Sequence, residues 1–158
     1  MTSSRSTQTT DGETAMRRAA AMATFAAAET AELRCALECI GSIEAVEIRK
    51  PETGLVMVRG RIGGDGAPFN VGEATVTRCV VRIASGETGF SYILGRDHEK
   101  ARLAALCDAL WQSSDRRAEI DAALIAPVRQ RLGREREEAR ARTNATRVDF
   151  FTLVRGED

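Results

Sequence analysis

Hydrophobic and polar positions follow two different periods along this chain, and the places where one gives way to the other divide it into three. Between residues 45 and 94 the period is two. Val46 and Ile48 alternate with Glu47 and Arg49, Pro51-Glu52-Thr53-Gly54 has turn chemistry, and Leu55-Val56-Met57-Val58 resumes the apolar run, so the pattern predicts a hairpin. Residues 75–83 give the clearest strand, with Thr75, Thr77, Cys79, Val81 and Ile83 on one face and Val76, Arg78, Val80 and Arg82 on the other. Gly86-Glu87-Thr88-Gly89 then turns the chain into Phe90-Ser91-Tyr92-Ile93-Leu94. Four short strands in meander order predict an antiparallel sheet in an α+β fold.

On both sides of the sheet the period is helical. From Glu13 to Glu29 an alanine-rich run has high helix propensity, with Met16, Met22 and Phe25 as its large apolar side chains. Thr30 is the expected N-cap of a second helix striped by Leu33, Leu37 and Ile40 and stopped by Gly41; the two could also be one helix broken at Glu29–Thr30. After the sheet, Asp97 has the side chain to cap a helix whose Leu103, Leu106, Cys107 and Leu110 fall at i, i+3, i+4 and i+7, ending near Trp111. Asp115 is expected to cap a further segment with Ile120, Ala123, Leu124 and Val128, in which Pro127 predicts a kink or restart. Residues 129–142 form a charge ladder with Leu132 as the one large apolar side chain, which suits a solvated arm or a rail for another protein. The chain ends on Val148, Phe150, Phe151, Leu153 and Val154, an apolar tail that needs somewhere to dock and is the candidate interface element. Residues 1–14 read as a disordered lead-in and residues 15–158 as one domain with a charged C-terminal helix and the apolar tail.

Composition sharpens this picture. The hydrophobic share is 43%, but 25 of those residues are alanine, and Leu, Ile, Val and Phe together number 33 of 158. The core is thin for the length, which points to a chain that completes its burial against partners. Basic and acidic residues are 23 each, so the net charge is zero and a general polyanion binder is not expected; nucleic acid is excluded as a partner class. No apolar run approaches the roughly 18 residues of a membrane span, and no apolar signal core follows Arg5, so the expectation is a cytoplasmic protein without membrane contact. Its four cysteines then sit in a reducing compartment and form no disulfide framework.

The candidate chemistry is sparse. Cys35 and Cys39 lie at i, i+4 without a third or fourth ligand nearby, so they read as small buried apolar residues, as do Cys79 and Cys107; no metal is expected. His98 is the single histidine and has no orienting partner in sequence. The Gly60–Gly66 stretch lacks the Lys-Ser/Thr of a phosphate loop and reads as a hairpin loop. Arginine supplies 21 of the 23 basic residues. Arg59 and Arg61 flank the glycines, Arg78 and Arg82 share a strand face, and Arg96 precedes a helix, so these five are the candidate contacts for an anion or an acidic surface. No constellation has the makings of an active site, so no catalytic residue is assigned. Two readings remain open: a domain with unfilled interfaces, or a stand-alone anion- or nucleotide-binding domain using the arginine-lined strand face.

A set of motifs, in order, narrows these. Gly72-Glu73-Ala74-Thr75-Val76-Thr77-Arg78 with Val80-Val81-Arg82, Gly89-Phe90-Ser91-Tyr92, Gly95-Arg96-Asp97, Asp108-Ala109-Leu110, Leu124-Ile125-Ala126-Pro127 and the terminal Arg147-Val148-Asp149-Phe150-Phe151-Thr152-Leu153-Val154-Arg155-Gly156 together resemble the PhnG family, the G subunits of the bacterial carbon–phosphorus lyase system. The resemblance runs from about Ala45 to Gly156, is loose over the first helices, and leaves residues 1–14 uncovered; Cys79 stands where the family would have a small alanine. It implies an accessory subunit of a core complex with H, I and J subunits. There a nucleosidase-like I subunit, with G, H and L also required, exchanges the adenine of ATP for methylphosphonate to give α-D-ribose 1-methylphosphonate 5-triphosphate. It also implies that this chain binds no cofactor of its own. ATP is a substrate of the complex, and the iron–sulfur cluster and S-adenosylmethionine used to break the carbon–phosphorus bond belong to the J subunit.

Overall fold

Helix-forming and strand-forming segments separate in space as they do along the chain: helices gather on one side of a single antiparallel sheet. The computed structural model describes residues 4–63 and 65–146. Helix α1 (Ser4–Ala27) and α2 (Thr30–Ile40) lead into strands β1 (Ala45–Arg61), β2 (Pro68–Ile83) and β3 (Thr88–Leu94); α3 (His98–Gln112), α4 (Arg117–Ile120), a π-helical turn (Asp121–Ile125) and α5 (Ala126–Ala145) follow. The sheet order is β1-β2-β3.

The sheet has three strands where the hydropathy pattern predicts four. Pro51-Glu52-Thr53-Gly54 is no turn: β1 runs through it, pairing continuously with the 16-residue β2. Register shifts at Glu47/Arg49 and Arg49/Glu52 absorb the extra residues as bulges. β1 is an edge strand, where a proline without an N–H interrupts no second ladder. The real reversal lies at the glycine-rich stretch, where Arg61 pairs with Pro68. At the next turn Gly86 takes φ 105°, a left-handed conformation that glycine adopts without steric penalty.

α3 lies across the sheet, and the predicted inner face of β2 is what it covers: Thr77, Cys79, Val81 and Ile83 are buried, with Ser91 and Ile93 from β3. Leu103, Leu106, Cys107 and Leu110 are buried as their spacing predicts. Contact between the layers is close because small residues permit it. A Cβ on Gly89 would lie 2.0 Å from the Ala105 carbonyl oxygen and 2.5 Å from the Ala109 nitrogen.

The first helix departs from the sequence reading. It begins at Ser4, so residues 4–13 are helical rather than a disordered lead-in. Once a helix is nucleated, each added residue gains a hydrogen bond at small entropic cost. α1 docks through Ala21 and Phe25, with Ala28 buried just past its end, whereas Met16 is exposed. α1 and α2 are separate helices, and the N-cap of α2 is Glu29, not Thr30: the Glu32 carboxylate accepts from the Glu29 N–H at 2.7 Å. Thr30 instead donates its hydroxyl to Asp97 at 3.0 Å, tying α2 to the start of α3. Asp97 is the N-cap of α3, accepting from the Lys100 N–H at 2.8 Å. Asp115 caps nothing; Arg116 precedes α4, and the restart expected at Pro127 is made by the π-helical turn and the proline's place in the first turn of α5. α5 is anchored by Val128, by partly buried Leu132 and by Arg131 bound through two nitrogens to Glu32, and beyond Gly133 it is exposed. Among the described residues no helix is long and apolar enough to cross a membrane. The apolar tail lies outside the described residues.

Candidate functional site

The strands that bury one face under α3 turn the other face outward, and there the apolar pattern continues without a covering layer among the described residues. Register puts Val46 beside Arg82, Arg49 beside Val80 and Glu52 beside Arg78, and then Phe90 beside Val80, Tyr92 beside Arg78 and Leu94 beside Val76. Leu94 is 77% exposed, Val46 71%, Tyr92 57% and Phe90 43%. A sheet face with aromatic and aliphatic side chains in water, interleaved with arginine, has the composition of an interface rather than of a solvated surface.

Arg78 and Arg82, paired by alternation in the sequence, do share this face, and the structure adds Arg49, which sequence reading missed because it lies on the far side of a bulge. Arg78 reaches Glu52 at 3.5 Å, and its Nε is shielded from solvent without a hydrogen-bond partner. The Tyr92 hydroxyl, more than Glu52, holds the guanidinium more basic than usual. Arg82 donates Nε–H to the Thr88 hydroxyl at 3.3 Å. A depression of about 520 Å³ lies between these arginines and Phe90.

The other candidates do not join them. Arg59 pairs with Asn70 and Arg61 with Pro68, which at about 3.3 Å per residue puts them roughly 26 and 33 Å along β2 from Arg78. There β1 and β2 form a two-stranded ribbon with exposed Leu55, Met57, Phe69 and Val71, and Arg61 donates to the Gly66 carbonyl at 3.4 Å, as a hairpin-end residue does. Arg96 is exposed in the β3–α3 connection. His98 bonds through Nε2 to the Thr53 hydroxyl at 2.9 Å, linking α3 to β1. Cys35 and Cys39 are exposed, contrary to the expectation that they are buried, because α2 turns Leu33, Ala36 and Leu37 inward instead; Cys79 and Cys107 are buried. Burial raises the Cys107 thiol to about 12. The tail residues Val148, Phe150, Phe151 and Leu153 lie outside the described residues.

Sequence reading also missed what holds the site's edge in place. Asp108 is fully buried; it accepts two bonds from Arg18, at 2.6 and 3.0 Å, and one from the Phe90 N–H at 2.9 Å. Gln112 donates to the Thr88 carbonyl at 2.8 Å. One carboxylate on α3 thus fixes α1 and occupies a main-chain donor of edge strand β3, while the Arg18 guanidinium lies 5.6 Å from the centre of the Phe90 ring. The signal available in sequence was an acidic residue inside an apolar helix stripe.

The model of the family "Phosphonate metabolism protein PhnG" matches residues 16–156. The chain is 49% identical over 152 residues to the alpha-D-ribose 1-methylphosphonate 5-triphosphate synthase subunit PhnG of Rhizobium meliloti (strain 1021), covering 96% of this chain and 97% of that protein. A likeness that runs almost end to end takes in the outer sheet face, the ribbon, the Arg18–Asp108 pair and the charged helix together. This chain belongs to the PhnG family.

Proposed function

We propose that this chain is an accessory subunit of an α-D-ribose 1-methylphosphonate 5-triphosphate synthase, assembling with other subunits rather than acting by itself. The observation that carries the reading is its 49% identity, nearly end to end, to a protein named as that subunit. The structure supports it with large apolar side chains exposed along all three strands, which is what a subunit presents before assembly. Nor do the groups suited to acid–base chemistry converge: His98 bonds a threonine and Asp108 is committed to Arg18. The partners the family resemblance implies are the H, I and J subunits, and Phe150 and Phe151 of the tail are further candidate contacts.

Reconstitution tests it. The partner subunits are purified with and without this chain, and adenine release from ATP and methylphosphonate is measured. Adenine release is expected only when the chain is present with its partners. Turnover by the isolated chain, or full turnover by the partners without it, would overturn the proposal.

A further inference from the structure

We infer that the outer face of the sheet is the docking surface for a partner subunit whose matching surface is apolar and carries carboxylates opposite Arg78 and Arg82. This deepens the subunit reading and rests on it. The apolar part of the match follows from Val46 on β1 and from Phe90, Tyr92 and Leu94 on β3, the two strands that flank β2. These side chains stand outward with no helix or sheet layer packed across them among the described residues, although Arg18 of α1 reaches the Phe90 ring. Aromatic residues and arginine are the types that dominate binding energy when an interface closes over them.

Charge decides the kind of partner. The face carries Arg49, Arg78 and Arg82 against Glu52 alone, so it is locally cationic on a chain whose overall charge is zero. A second copy of this chain would bring two cationic faces together, and like charges across an interface oppose association. An acidic partner relieves that repulsion. A nucleotide fits less well: small-ligand sites enclose most of their ligand, whereas the depression beside Phe90 is open and the exposed apolar side chains extend beyond it to Val46 and Leu94.

The test uses the full chain, alone and in the assembled complex. Hydroxyl-radical footprinting of the wild type should show Tyr92, Phe90 and Leu94 oxidised readily in the isolated chain and severalfold more slowly in the complex. The double reversal Arg78→Glu plus Arg82→Glu should weaken assembly by about a hundredfold, as expected for charges that become buried against partners. Arg78→Lys plus Arg82→Lys should retain most of the affinity. Urea unfolding of the reversed chain should keep a single cooperative transition with the wild-type slope, so that weaker assembly does not reflect an unfolded chain. If the wild type assembles while those three side chains remain as oxidisable as before, or if the reversed chain assembles normally, the inference falls and the subunit reading stands. Protection in the isolated chain that grows with its concentration would identify a second copy as the occupant. Protection lost on truncation after Ala145 would identify the chain's own tail, and either result overturns the inference. Failure of the wild type to assemble at all would remove the subunit reading itself.

Discussion

The two faces of the one sheet use the same strands to opposite ends. On the inner face small residues bring α3 into contact: Gly89 has no room for a methyl group beneath Ala105 and Ala109, and Thr77 and Ser91 satisfy their hydroxyls internally, on the carbonyls of Gly95 and Ala101. On the outer face Phe90 and Tyr92, the sequence neighbours of Gly89 and Ser91, stand in water. One residue's step along β3 separates a closed layer from an open one. Alternation alone produces both, so an apolar residue in a strand says that a face is to be covered and leaves unsaid whether the same chain covers it.

If that contrast is right, substitutions on the inner side should destabilise the isolated chain, whereas outer-face changes should register only on assembly. The largest loss is expected from Asp108→Ala, which leaves the Phe90 N–H and the Arg18 guanidinium without their buried acceptor. Breaking a buried pair of this kind costs about 4 kcal/mol; urea unfolding of the isolated chain measures it, and a loss under about 1 kcal/mol would mean that α1 is held by its alanine contacts instead.

Gly89→Ala comes next. Its methyl would meet main chain at 2.0 Å, so sheet and helix must part, at about 3 kcal/mol, the upper end of overpacking penalties. Thermal unfolding reports it, and unchanged stability would show that α3 can shift freely on the sheet.

A smaller effect should mark the rim of the inner layer. Asp97 caps α3, and the Lys100 N–H, with help from the Thr30 hydroxyl, holds its carboxyl below the ordinary value of 3.8. A group whose folded pKa is depressed contributes stability above its unfolded value and loses it as pH falls through the folded one. Asp97→Ala should therefore lower stability by about 1 kcal/mol at neutral pH, with the gap to wild type narrowing in acid below 3.8. A gap that stays constant with pH would mean the cap works through packing alone.

How much was legible in the sequence differs by element. α3 was, with its N-cap, its apolar stripe and its end, because each signal is local: Asp97 caps within one turn, and Leu103 to Leu110 share a face by spacing alone. The inner face of β2 was legible for the same reason. The continuity of β1 was not. Pro51 and Gly54 have turn chemistry, and only the length of β2 opposite them makes an uninterrupted strand with bulges the better arrangement. Of the five candidate arginines, Arg78 and Arg82 share a strand face as their spacing predicts, since alternation is local. Whether Arg59 and Arg61 join them depended on where the chain reverses, and it reverses some distance beyond.

By itself, then, the sequence determined the α+β class, the antiparallel pairing, the inner faces of α3 and β2 and, through ordered motifs, the family. Each follows from chemistry that acts over a few residues or from patterns that survive in one dimension. Only the tertiary structure decided that Asp108 joins α1, α3 and the edge of β3, that Arg49 stands with Arg78 and Arg82, and that Cys35 and Cys39 face solvent. Those outcomes turn on which helix covers which face, and α3, with α1 clamped to it through Asp108, lies on one side of a three-stranded sheet and leaves the other side without a helical layer among the described residues.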